Sequence, residues 1–284
     1  MSFQEIPLGA MRFNSDSQKL EYFNGQIWLQ VHTFSPNLDG GARGIFGGGN
    51  NPTTNTIEYI TISSAGNGTD FGDLLSSKMH TCGVSDSTRG VIGPGETPSD
   101  PRVDVIEYIT MSSSGNSVDF GNATVGNQIG QNSGLASPTR GIWSGGSPAE
   151  DMIQYVTIAS TGNANEFGNL SANRNGPCEA SSSTRCIIVG GYTPTVLNTM
   201  EYITIASTGD AKDFGDLAFG GAYIAGTSNS VRAVWTGRYT VPATTNTIEY
   251  TEIQTLGNAM DFGDLISAYT NLSGATSDTH GGLA

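Results

Sequence analysis

Residues 56–74 read TIEYITISSAGNGTDFGDL, and this phrase decides the fold. It returns four times: VIEYITMSSSGNSVDFGNA from Val105, MIQYVTIASTGNANEFGNL from Met152, TMEYITIASTGDAKDFGDL from Thr199 and TIEYTEIQTLGNAMDFGDL from Thr247. Its tyrosines, Tyr59, Tyr108, Tyr155, Tyr202 and Tyr250, are separated by 49, 47, 47 and 48 residues. Self-similarity at a period of about 40–50 residues marks a repeat architecture, with one supersecondary unit per period. Along the strand Ile57 and Tyr59 fall on one face, and Ile60 and Ile62 on the other. With both faces largely apolar, the strand is expected to be covered on both sides.

Around the phrase, each unit has four parts. A small-residue stretch such as Cys178 to Ser183 comes first. Next an arginine leads a short strand into a glycine cluster: Arg43 to Gly49, Arg89 to Gly95, Arg140 to Gly146, Arg185 to Gly191 and Arg232 to Gly237. After a variable loop come the Ile-Glu-Tyr strand, a Ser-x-Gly-Asn turn and the Asp-Phe-Gly strand. Four short strands in about 48 residues match one propeller blade; a solenoid is the rival. The first unit lacks its small-residue strand, and Ala268 to Gly282 supplies a matching one at the end, with His280 in the arginine slot. Pairing the two chain ends within one blade removes exposed edges, whereas a solenoid needs caps. The expected fold is all-β: a five-bladed β-propeller over residues 36–284, closed by the C-terminal strand. Its expected blade core is the five tyrosines together with Phe71, Phe120, Phe167, Phe214 and Phe262.

Residues 1–35 stand outside the repeat and read as a small β-meander. Asn24-Gly25 is a strong hairpin signal between the second and third strands. Residues 15–18 make the first turn, and Phe34 to Gly40 is a linker. A sheet this small is marginal alone. Its apolar residues Met11, Phe13, Leu20, Tyr22, Phe23, Ile27, Trp28 and Leu29 are therefore expected to dock against something: the rest of the chain, a copy or a partner.

Composition narrows the function classes. Of 284 residues, 13% are charged and 39 are glycine, which suits short strands and tight turns. A net charge of −14 disfavours nucleic acid and anionic membranes as partners. No run of about 18 apolar residues suggests a membrane span, and no signal peptide is visible at the N-terminus. Cys82 and Cys178 share one slot in different repeats; with Cys186 they form an odd set, read as reduced buried thiols.

Arg, a short strand, Gly-Gly, Tyr and a large aromatic together resemble kelch repeats. The match lies at Gly48-Gly49, Gly145-Gly146 and Gly190-Gly191, at the five tyrosines, and at the five phenylalanines where kelch usually has Trp. Gly93-Pro94-Gly95 and Thr236-Gly237-Arg238 depart from it. Repeats of the IEYITI…DFGDL type also resemble those of virion proteins of tailed phages, notably of cyanobacteria. The N-terminal segment, through Gly9, Met11 to Asn14, Lys19 to Glu21, Phe23, Asn24-Gly25 and Trp28, resembles the short meander of phage tail-fibre and virion proteins.

These resemblances imply a non-enzymatic virion protein, its propeller displayed on a tail fibre, baseplate or neck for host attachment. Its implied partners are other virion proteins at the N-terminal segment and a host-surface glycan or protein at the variable loops. Fibre proteins are often trimers, although no heptad stalk is present here. The alternatives are a decoration protein cementing the capsid or tail, a glycan-degrading tail enzyme, and a cellular kelch-type interaction module. Non-repeated acids for the enzyme would be Glu96, Asp100, Asp104, Glu150 and Asp151.

No chemical motif goes beyond the repeat. Asp-Phe-Gly lacks the kinase companions His-Arg-Asp and a strand lysine. The glycine clusters lack the Lys-Ser/Thr of a phosphate loop. Asp70/Asp73, Asp213/Asp216 and Asp261/Asp264 are read as turn caps before calcium ligands. His32, His80 and His280 have no metal spacing. The arginines Arg43, Arg89, Arg140, Arg185 and Arg232 are expected to pair with Glu58, Glu107, Glu201 and Glu249 of their own repeats, with Gln154 breaking the series. No cofactor or metal is expected.

Overall fold

The computed structural model describes residues 7–14, 19–30, 43–50, 52–62, 64–124, 134–240 and 245–269. The linker Phe34–Gly40, the turn at residues 15–18, His32, the tip of the last variable loop at 241–244 and the expected closing strand from residue 270 onward lie outside these. The chain forms two compact units, Met1–Gly40 and Gly41–Ala284. Among the described residues every regular element is a β-strand, and the strands form six antiparallel sheets.

The small unit is a three-stranded meander, β1 (Met11–Asn14), β2 (Lys19–Phe23) and β3 (Trp28–Gln30). At its second turn Asn24 Oδ1 accepts the backbone N–H groups of Gln26 and Ile27, and Gly25 takes φ 95°, open to glycine at little cost. Pairing of Met11 with Tyr22, Phe13 with Leu20 and Tyr22 with Leu29 puts these five side chains on one face. On the opposite face Phe23 stacks on Trp28, and Arg12 lies over Trp28 while pairing with Glu21 at 2.8 Å.

The large unit holds one sheet per repeat. The first is three-stranded: β4 (Arg43–Gly47), β5 (Thr56–Thr61) and β6 (Thr69–Asp73). The second is β7 (Gly83–Ser85), β8 (Arg89–Ile92), β9 (Val105–Thr110) and β10 (Val118–Asn122). The third is β11 (Leu135–Ala136), β12 (Arg140–Ser144), β13 (Glu150–Thr157) and β14 (Asn165–Arg174). The fourth is β15 (Cys178–Ser181), β16 (Arg185–Val189), β17 (Thr199–Thr204) and β18 (Lys212–Asp216). The fifth is β19 (Ala225–Ser228), β20 (Arg232–Thr236), β21 (Thr247–Glu252) and β22 (Met260–Asp264).

Every sheet runs in chain order, as a meander must. In the second to fifth sheets the turn before the arginine strand is held by a side chain three residues upstream of the arginine. Asp86, Ser137, Ser182 and Asn229 accept the arginine's N–H at 2.7, 3.0, 3.2 and 2.7 Å. These residue types favour such local side-chain caps.

Apolar clusters fill the spaces between consecutive sheets. Ile57, Phe71 and Leu74 of the first sheet meet Ile109 of the second, and Phe120 meets Trp143 and Ile158 of the third. Phe167 and Leu170 meet Ile188 and Ile205 of the fourth, and Phe214 and Leu217 meet Trp235 and Ile253 of the fifth. Tyr59, Tyr108, Tyr155 and Tyr202 sit at the margin of these clusters; all five tyrosines are half-buried, each edge-on to its phenylalanine with centroids 5.8–6.1 Å apart. Such edge-to-face pairs contribute roughly 0.5–1.5 kcal/mol beyond burial. Phe262 corrects the expected core: its ring meets Tyr250 as the others do, yet it is exposed. No further sheet lies over it among the described residues.

Candidate functional site

The four junctions between sheets share one construction, and most repeated polar residues belong to it. At the fourth strand the Asp/Glu-Phe-Gly phrase forms a β-bulge, visible as a register shift in all five sheets of the large unit. Next to the bulge the strand pairs with the turn of the following sheet. Gly115 donates to Phe71 O at 2.7 Å and Ser117 to Asp73 O at 2.8 Å. Gly162 and Ala164, Gly209 and Ala211, and Gly257 and Ala259 repeat this pairing. A side chain on Gly72, Gly121, Gly168 or Gly215 would overlap the carbonyl of Gly115, Gly162, Gly209 or Gly257. The backbones touch there, so glycine is required on steric grounds.

The turn Asn or Asp closes the same contact. Asn116, Asn163, Asp210 and Asn258 accept the N–H of Asp73, Asn122, Asn169 and Asp216 in the preceding sheet, at 3.0–3.1 Å. These side chains cap a strand of the neighbouring sheet. Among the described residues no group of three or more His, Cys, Asp or Glu side chains is arranged to hold a metal.

The arginines require a correction. Arg43, Arg89, Arg140 and Arg185 do not pair with the glutamates of their own repeats. Each lies over its own tyrosine ring, 4.4–4.8 Å from the centroid, and donates to a carbonyl of the next sheet. Their acceptors are Met111, Ile158, Ile205 and Ile253. Arg232, in the last sheet, lies over Tyr250 and pairs with Glu252 at 2.7 Å. The planar guanidinium suits this stack-and-donate geometry.

The glutamates turn towards the preceding sheet. Glu107, Glu201 and Glu249 are buried and accept the backbone N–H of Leu75, Ser171 and Ala218. Each also meets a buried cation: Lys78 with Glu107 at 2.7 Å, Arg174 with Glu201, and Arg238 with Glu249. Burial lowers the affinity of Arg174 for its proton, and Glu201 opposes that. Gln154, where no lysine or arginine occupies either cation position, accepts Thr124 N–H at 2.8 Å as a neutral amide.

Two positions supply the cation, five residues after the Asp/Asn of the fourth strand or six after the arginine of the second. When one is filled the other is glycine: Lys78 with Gly95, Arg174 with Gly191, Arg238 with Gly221. A side chain on Gly191 would lie 2.9 Å from Arg174 Cβ, and one on Gly221 2.7 Å from Arg238 Cβ. Sequence reading saw the glutamates and missed their partners, because the cations come from two different places in the repeat. The trade of cation against glycine was the available signal.

One junction breaks the pattern near the first strands. Glu179 stands where Gly83, Gly134 and Gly226 stand in the other repeats. Gly226 lies under the Trp235 indole across the strand pair, whereas Glu179 faces Ile188. The smaller Ile188 leaves space that the carboxyl occupies. Ser144 Oγ donates to Glu179 Oε1, and Oε2 is buried without a hydrogen bond. Burial pushes the carboxyl up to about 8. The three cysteines form no disulfide; burial, with the Glu179 charge second, raises the Cys178 and Cys186 thiols and keeps them protonated.

The variable loops between second and third strands all leave at the glycine-cluster end of their sheets. Those of the second, fourth and fifth sheets pair with the segment linking one sheet to the next, through bridges Met79–Glu96, Asn175–Tyr192 and Ala222–Tyr239. His80 and Tyr223, one place after these bridges in their linkers, have φ of 51° and 53°, unusual for residues other than glycine. His80 Nδ1 lies 2.9 Å from Glu96 Oε2, and Tyr192 and Tyr239 are exposed. The acids considered for catalysis do not converge. Glu96 meets His80, Asp100 caps its own turn at Arg102 N, and Asp104 accepts from Asn122. Glu150 and Asp151 sit together at the start of β13.

On the meander, Met11, Phe13, Leu20, Tyr22 and Ile27 are exposed. Phe23 and Trp28 are instead engaged with each other and with Arg12. Compared with family models and with curated proteins, the sequence finds no match in either.

Proposed function

We propose that this chain is a non-enzymatic structural protein of a tailed-phage virion, a repeat propeller presented to the host surface and held by its N-terminal meander. The observation that carries this reading is the placement of the variable loops. Loops of differing sequence leave the glycine-cluster ends of a repeated scaffold, three of them braced by a backbone bridge, and exposed Tyr192 and Tyr239 lie among them. Binding commonly resides in such loops on rigid scaffolds. The meander offers the second requirement, a small sheet with the apolar residues Met11, Phe13, Leu20 and Tyr22 exposed on one face. Resemblance of both segments to phage virion proteins supplies the setting.

The same reading closes the five sheets into a ring. Its support is that the two end faces are halves of one junction. The fifth sheet carries the Phe262-Gly263-Asp264 bulge, and nothing lies within 4 Å of a Cβ placed on Gly263. The first sheet carries the matching turn Gly66-Asn67-Gly68, and Phe46 and Ile62 are exposed beside it. Joining them would bury Phe262 and Ile62 as their counterparts are buried elsewhere, at roughly 1.5–3 kcal/mol for each side chain.

Immunogold microscopy of phage particles with antibody to residues 43–269 tests the placement. Label at the tail, baseplate or neck is expected, and particles without label would refute the virion assignment. Label over the capsid would favour the decoration role instead.

A further inference from the structure

Three tyrosines come together at the glycine-cluster end of the fourth and fifth sheets. Tyr192 and Tyr239 stand seven residues after Arg185 and Arg232, the place held by Asn50, Glu96 and Ser147 in the other repeats. Tyr223 stands one place after a linker bridge, the place held by His80 and Gly176 elsewhere. Backbone pairing joins the three. Tyr192 bridges Asn175, the adjacent Gly176 O accepts Tyr223 N–H at 2.9 Å, and Ala222, next to Tyr223, bridges Tyr239. Gly191 N–H donates to Gly221 O at 2.8 Å and ties the two linkers to the same patch. The Tyr223 ring lies over Gly176, where an added Cβ would stand 2.5 Å from it. Tyr192, Tyr239 and Phe219 of the same linker are exposed, and Tyr223 is partly so.

Packing alone does not account for this arrangement. Tyr223 holds φ at 53°, a region open to glycine at little cost and unfavourable for tyrosine; its counterpart Gly176 takes 61°. Backbone strain of this kind collects at sites where the side chain is needed. The patch is also uncharged at its surface. Segments 172–177, 190–198, 218–224 and 237–240 hold two charged residues, Arg174 and Arg238. Both are fully buried and paired with Glu201 and Glu249. At the matching end of the second sheet the equivalent places carry His80 and Glu96 in contact at 2.9 Å.

The chemistry of the patch selects its ligand. On a chain of net charge −14, a surface without charge suits a neutral ligand over an anion. Tyrosine offers an apolar ring and a hydroxyl, and exposed Thr195 and Asn198 of the Tyr192 loop add a hydroxyl and an amide. A wholly apolar partner would strip water from these groups without replacing their hydrogen bonds. A pyranose has the matching surface, a C–H face for the ring and hydroxyls around it for the polar groups. We propose that Tyr192, Tyr223 and Tyr239 form a binding site for a neutral glycan, whose sugar rings stack on the tyrosines. The site rests on the reading of the variable loops as the host-facing surface, and it names the ligand class those loops take.

The test applies the full chain to an immobilised array of neutral, sialylated and sulfated oligosaccharides and measures affinity by surface plasmon resonance. Binding is expected on neutral oligosaccharides and not on the charged ones. Tyr192→Ala and Tyr239→Ala should each weaken it about tenfold or more, whereas Tyr239→Phe, which keeps the ring, should stay within about threefold of the parent. Glu96→Gln, at the equivalent place in the second sheet, should leave it unchanged. Tyr192 and Tyr239 are exposed, so their variants should melt with the parent. No binding to any neutral oligosaccharide would overturn the glycan assignment. Undiminished binding in both alanine variants would overturn this site and leave glycan attachment through other loops standing. Neither result decides the place of the protein in the particle, which the immunogold label tests separately.

Discussion

Phe214 and Phe262 hold the same place in the same phrase, yet one is 2% exposed and the other 54%. Their strands, tyrosine contacts and bulges are alike. What differs is the neighbour: Phe214 has the fifth sheet beside it, and Phe262 has none among the described residues. Burial in this protein thus belongs to the junction between units, as expected where each repeat cannot bury its own hydrophobic face. The four junctions state the rule, and the two end faces show its cost where no neighbouring sheet lies among the described residues.

The sharpest way to break the comparison is at the bulge glycines. Gly168→Ala must move the Gly209 backbone and take an unfavourable φ of 155°, so a loss of roughly 4 kcal/mol or more in urea denaturation is expected. Gly263→Ala is expected to match it if the fifth junction forms; a cost confined to backbone strain, about 1–2 kcal/mol, would mean that it does not. Phe214→Ala should lose about 3–5 kcal/mol. Phe262→Ala should approach that figure in a closed ring and stay below about 1 kcal/mol in an open one.

Glu179→Gln sharpens the comparison inside the stack. The native carboxyl is raised from 4.5 to about 8, so the native state holds its proton across that window. Its contribution to stability is fully present below the lower value and is lost as pH rises to about 8. The variant should therefore gain on the parent across the same range, by on the order of a few kcal/mol at pH 8. Parallel pH–stability curves for the two proteins would contradict this. The smallest effect is expected from Arg140→Lys, which keeps the charge and loses the planar stack on Tyr155 together with the geometry of the bond to Ile205 O. About 1 kcal/mol should be lost in thermal unfolding, with Arg232→Lys differing because its partner is Glu252.

The five units and their strands were legible because period and alternation are local. The phenylalanines could be assigned to the core for the same reason, and Phe262 departs because burial needs a following sheet, which it lacks among the described residues. The arginine–glutamate pairing was misread. Arg43 to Arg185 and Glu107 to Glu249 recur side by side in sequence, but their partners lie in adjacent sheets. Lys78, Arg174 and Arg238 occupy two different positions in the repeat, so no single aligned column reveals them. Glu179 was hidden in a small-residue stretch whose glycine pattern it interrupts.

Hydrogen exchange at Gly66 and Gly68 tests the central claim most directly, measured on monomeric chain at pH 5. Their counterparts Gly115 and Ser117 donate to Phe71 O and Asp73 O. If the fifth sheet closes on the first, Gly66 and Gly68 exchange as slowly as Gly115 and Ser117. Exchange at the rate of an open turn, with Gly115 and Ser117 protected in the same sample, would contradict the ring.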